Sequence, residues 1–89
     1  MDKSTDRIIN RFDYARLIRQ TTFPVITVCK HPEDYPDKYV ARVCDMNRPT
    51  NLAAIADTYE ELLEAIPTQN MARMERNPKD DPVIMETWI

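Results

Sequence analysis

The alternation of apolar and polar side chains divides the chain into segments of different period. Residues 4–20 follow a helical period, with Ile8, Ile9, Phe12 and Ala15 on one face. Tyr14, Leu17 and Ile18 fall on a second face, so this helix either breaks near Asp13 or is contacted from two sides. Ser4 or Thr5 is placed to cap its start. Residues 23–30 (FPVITVCK) and 39–46 (YVARVCDM) are rich in β-branched side chains and predict strands. Residues 51–56 (NLAAIA) predict a third strand, weakened by its alanines. Tyr35-Pro36-Asp37-Lys38 puts proline where a type I turn prefers it, and Asn47-Arg48-Pro49-Thr50 marks a second turn. A hairpin turning at Pro36-Asp37 would set Cys29 opposite Cys44.

The strongest local signal is Thr58-Tyr59-Glu60-Glu61, a capping box. Tyr59, Leu62, Leu63 and Ile66 follow at helical spacing, and Glu60 and Glu61 occupy the first turn, where the helix dipole favours them. Pro67 ends this helix, predicted over 58–66, by disfavouring helical backbone at Ile66. Residues 71–76 read either as a short strand or as a helical turn. Residues 83–89 (VIMETWI) predict a closing strand, with Ile84, Glu86 and Trp88 facing one way and Val83, Met85, Thr87 and Ile89 the other. The order is α-β-β-β-α-β(-β). This is the pattern of an α+β domain: one mainly antiparallel sheet with helices on one face. It is read as a single domain over 1–89, with a helical N-terminal segment 1–20 and an α+β core 23–89.

Composition narrows the chemistry. At 89 residues the chain supports one modest core and no second lobe. It contains no glycine, where about six are expected from average usage. Glycine-rich phosphate cradles for ATP or NAD are thereby excluded. The net charge of −3 is opposite in sign to that of a generic nucleic-acid binder. No apolar run approaches the ~20 residues of a membrane span, and the first residues hold no apolar core of a secretory signal. A cytoplasmic protein without membrane contact is the expectation.

Cys29, His31 and Cys44 are the residues nearest to a metal or thiol site, but their spacing matches no common zinc motif. With one histidine and no glycine turns, an oxyanion hole has no visible source. The carboxylates lie in loops or on a polar helix face rather than as a buried pair. The expectation is therefore no catalytic, cofactor or metal residue, and no enzyme. Charge is segregated: residues 1–20 hold five basic and three acidic side chains, a net of +2. Residues 57–66 hold Asp57, Glu60, Glu61 and Glu64, a net of −4. Asp57, Glu60, Glu61, Glu64 and the strand end at Trp88 are the candidate surfaces for a protein partner. The 83–89 strand is expected either to pair within the sheet or to form a homodimer. The alternative is a nucleic-acid binder using Arg7, Arg11, Arg16 and Arg19, although nucleic acid is not expected as the sole partner.

The stretch FPVITV, YVARVCDM, NLAAIADTYEELLEAI resembles the β-β-β-α unit of HicB-type antitoxin domains over residues 23–66. The shared hallmark is a third strand running into Asp57-Thr58-Tyr59-Glu60-Glu61-Leu62-Leu63. TTFPVIT, YPDKYVAR and DDPVIMETWI are similar to segments of short proteins carried by phages and integrative elements, anti-CRISPR proteins among them. These resemblances imply a small interaction module that binds and inhibits another macromolecule, and they assign no functional residue.

Overall fold

Strands of alternating burial and two short capped helices make up the described residues. The computed structural model describes residues 7–46, 48–79 and 81–89. In chain order the elements are β1 (Arg7–Ile9), α1 (Tyr14–Gln20), β2 (Pro24–Lys30), β3 (Tyr39–Asp45), β4 (Arg48–Ala56), α2 (Tyr59–Ala65), β5 (Arg73–Glu75) and β6 (Ile84–Trp88). All six strands join one sheet in the order β1-β4-β3-β2-β6-β5. Every pairing is antiparallel except β1 with β4. An α+β domain with a mainly antiparallel sheet is thus what the chain forms.

Period-two alternation places the core. Ile26 and Val28 of β2 lie opposite Val43 and Ala41 of β3, and Ala41 lies opposite Ala54 of β4. All five are buried, and Leu17 of α1, Leu62 and Ala65 of α2, Phe12 and Trp88 join them in one cluster. Burial of each large apolar side chain contributes about 1.5–3 kcal/mol. The other sheet face presents Val25, Thr27 and Cys29 of β2 beside Cys44, Arg42 and Val40 of β3. There Arg42 donates to the Thr50 carbonyl at 3.0 Å and pairs with Asp34 at 3.6 Å.

The N-terminal segment departs from the helix expected over 4–20. Residues 7–9 form a strand, and α1 begins only at Tyr14. The break falls at Asp13, whose backbone is extended and whose carboxylate accepts from the Ala15 N–H at 3.0 Å. That is an N-cap, and it frees β-branched Ile8 and Ile9 to pair with Ala53 and Ala54. The expected caps Ser4 and Thr5 lie outside the described residues.

Three further expectations change. The Tyr35–Lys38 turn does form, closed by Lys38 N–H to the Tyr35 carbonyl at 3.1 Å, but a second turn from Pro32 to Tyr35 precedes it. The hairpin is therefore centred earlier. Cys29 sits opposite Val40 and Cys44 opposite Val25, so the two thiols are not cross-strand neighbours. The turn expected at 47–50 is shorter, because Arg48 and Pro49 already pair with Asp45 and Cys44. Pro49 is tolerated at this bulged outer end, beyond the Leu52–Ala54 stretch that β1 pairs. Residues 73–75 resolve as strand, which makes β6 an interior strand between β2 and β5.

The absence of glycine has a conformational cost. His31 (φ 50°) and Met46 (φ 58°) occupy the left-handed region that glycine usually fills. Hydrogen bonds at both corners hold them there: His31 N–H to the Lys38 carbonyl at 2.9 Å, and Met46 N–H to the Phe23 carbonyl at 2.8 Å.

Candidate functional site

The acidic start of α2 follows from its cap. Thr58 accepts from the Glu61 N–H at 3.2 Å, which sets the first turn. Leu62 and Ala65 then face the core, and Glu60, Glu61 and Glu64 point to solvent. Glu60 and Glu64 are four residues apart and share a side of the helix. Asp57, just before the cap, is exposed and forms an ion pair with Lys38, which lifts the lysine above its ordinary range.

Beside this helix runs an open groove of about 940 Å³. Its walls are the start of α1, the second half of α2 and the turn after Pro67. Phe12 N–H donates to the Ala65 carbonyl at 2.9 Å and ties the two walls together. The charged side chains along the groove are Asp13, Glu61 and Glu64 against Arg11, three carboxylates to one guanidinium. A cationic or polar partner segment suits that lining. Asp13 and this groove were not singled out in the sequence; only the tertiary contact between Phe12 and Ala65 brings them to α2.

Arg7, Arg11, Arg16 and Arg19 are all exposed. They do not form one helical stripe, because Arg7 is on β1, Arg11 on the connection, and Arg16 and Arg19 on α1. Arg7, Arg11 and Arg16 line a small cleft that Arg19 does not reach; Arg19 instead donates to the Ala15 carbonyl at 3.2 Å.

Trp88, named as a candidate contact, lies on β6. It is 9% exposed, belongs to the core, and sits on an interior strand with no free edge. The sheet's edges are β1 and β5, three residues each and bearing Arg7, Arg73 and Glu75, features that discourage edge pairing.

The sequence did not signal a buried carboxylate network. Glu86 is 1% exposed and accepts from the Tyr59 hydroxyl (2.7 Å), Arg73 Nε (2.8 Å) and Trp88 Nε1 (2.7 Å). Burial pushes its carboxyl up, but the three donors outweigh burial and hold it below the usual range. Burial and the neighbouring Glu86 push the Tyr59 phenol up, so it remains a donor at neutral pH. Both oxygens of the Glu86 carboxylate are engaged within the cluster. The network ties α2, β5 and β6 together.

Cys29 and Cys44 are free thiols on the sheet face away from the helices, and His31 sits in the hairpin corner with its ring edge-on to Tyr39, 5.3 Å between centroids. Burial pushes the Cys29 thiol up to about 11. Among the described residues, no helix is long and apolar enough to cross a membrane. No protein-family model, curated protein or solved structure matches the chain.

Proposed function

We propose that the protein is a small non-enzymatic interaction module that binds another protein through the acidic side of α2 and modulates it by inhibition. One observation carries this reading: Glu61 and Glu64 of α2 and Asp13 of the α1 cap border one open groove, and Glu60 extends the same charge along the helix. A basic partner segment gains Coulomb attraction on approach, which speeds encounter and selects against acidic partners. The resemblance of residues 23–66 to antitoxin-type units agrees with an inhibitory role. Binding of nucleic acid through Arg7, Arg11, Arg16 and Arg19 has less support, because Arg11 shares the groove with three carboxylates that repel an extended polyanion.

The test is capture from a lysate of the encoding organism with the wild-type chain and with Glu60→Lys/Glu64→Lys, read by mass spectrometry. A partner retained by the wild type and lost by the charge-reversed variant is expected. A partner retained equally by both would remove the acidic side of α2 from the interface.

A further inference from the structure

A separate cleft of about 100 Å³ opens between β1, the connection at residues 10–13 and α1. Ile9, Phe12, Leu17 and Leu52 form its apolar lining, and Arg7, Arg11 and Arg16 are the basic residues that line it. Their spacing in sequence fits no single strand or helix face. A strand, a turn and a capped helix in succession are what bring them together.

We propose that this cleft binds the dianionic phosphoryl group of a small phosphorylated molecule. The first support is charge. The lining carries three guanidinium groups against one carboxylate, Asp13, a net of +2. Asp13 already accepts from the Ala15 N–H as the cap of α1. A phosphomonoester carries about −1.5 to −2 near neutral pH and so matches that balance. The second support is that the arginines are uncommitted. Among the described residues, the side chains of Arg7, Arg11 and Arg16 neither donate a hydrogen bond nor form an ion pair, whereas those of Arg19 and Arg73 do. Like charges gathered around one cleft repel each other, and a dianion relieves that repulsion. Guanidinium forks also match phosphate oxygens, forming charge-assisted and often bidentate bonds.

Size and surroundings select a compact anion. The cleft has the volume of about three waters at ~30 Å³ each, the scale of a phosphoryl group. An extended nucleic-acid backbone would continue into the adjoining groove, where Asp13, Glu61 and Glu64 repel it. The cleft shares Arg11, Phe12 and Asp13 with the groove but not Glu61 or Glu64, so charge reversal on α2 and substitution of Arg16 test the two assignments separately.

The experiment is a titration of the full chain with inorganic phosphate, chloride being exchanged to hold ionic strength constant, followed by amide chemical shifts. Saturable shifts confined to the amides of residues 7–17 and around Leu52 are expected. Affinity should fall as pH drops through the second ionisation of inorganic phosphate, where the dianion takes up a proton. Arg11→Gln and Arg16→Gln should each weaken binding about tenfold, the loss of a charge-assisted contact. Arg19→Gln, outside the cleft, should leave it unchanged, and dispersed spectra of each variant verify folding. Shifts that scatter over the surface without saturating would overturn the proposal. So would an equal loss in Arg19→Gln. A single-stranded oligonucleotide that binds more tightly than phosphate, with Arg19 contributing as much as Arg11, would replace the cleft with an extended backbone contact.

Discussion

The Tyr59 hydroxyl donates to Glu86 Oε1 at 2.7 Å and so fastens the first residue of α2 to the middle of an interior strand. The helix that bears the acidic surface is thereby fixed to the sheet by a buried polar bond as well as by Leu62. Glu86→Gln removes the charge that makes these bonds strong and should cost about 2 kcal/mol in urea melts. Loss of less than a few tenths would show that the cluster is incidental.

The same carboxylate sets an acid limit. Its folded pKa lies below the ordinary value of 4.5, so the unfolded state binds the proton first as pH falls. The stabilisation is complete well above pH 4.5 and is lost as pH falls from there through the lower, folded value. Thermal melts between neutral and acid pH should show the wild type losing stability in that window. Glu86→Gln should lose less over the same interval. Parallel curves would place the acid-sensitive group elsewhere.

The two faces of α2 give a direct check on its seating. Thr58→Ala removes the cap to the Glu61 N–H and should cost about 1 kcal/mol. Leu62 is 1% exposed, and Leu62→Ala should cost about 2–5 kcal/mol. Denaturant melts that reverse this order would contradict the buried face assigned to the helix.

Elements with local signals were legible in the chain. The Thr58 cap and the spacing of Leu62 and Ile66 specify α2 within one stretch of sequence, and β2 and β3 declare themselves by Val, Ile and Thr. β1 was not legible, because three residues become a strand only by pairing with Leu52–Ala54, more than forty positions away. The break at Asp13 was one of two openings left by the double stripe of residues 4–20, and the Asp13 cap chose between them. The hairpin register moved because a second turn at Pro32–Tyr35 shares the loop with the one at Pro36. At the candidate site, Glu60, Glu61 and Glu64 were visible as the polar side of a helix. Asp13 and the groove were not, since they depend on the bond between Phe12 and Ala65. Glu86 read as an ordinary polar position, because two of its partners come from separate elements, α2 and β5, and the third lies two residues along its own strand.

Met46 stores strain at the β3–β4 corner. At φ 58° a residue with a Cβ is disfavoured by about 1–2 kcal/mol, and asparagine tolerates this region better. Met46→Asn should therefore stabilise the domain by about 0.5–1 kcal/mol in thermal or urea melts. A loss of stability would mean that the exposed methionine makes packing contacts that outweigh its backbone strain.

Cys29 should be chemically quiet in the native state. With its thiol pushed up to about 11, roughly one molecule in a thousand is thiolate at pH 8. Alkylation followed by mass spectrometry should find Cys29 modified slowly in buffer and rapidly in denaturant. Equal rates in both would show the thiol to be exposed and unperturbed.

The central claim is that the acidic side of α2 steers a basic protein partner. The most direct measurement is the association rate of the captured partner with wild type and with Glu60→Lys/Glu64→Lys across a salt series. The expected result is slower association of the variant at low salt, with the difference shrinking as ionic strength rises and screening shortens to about 8 Å at 0.15 M. An association rate unchanged by the charge reversal at low salt would contradict the claim and leave Glu60 and Glu64 as a solvated helix face.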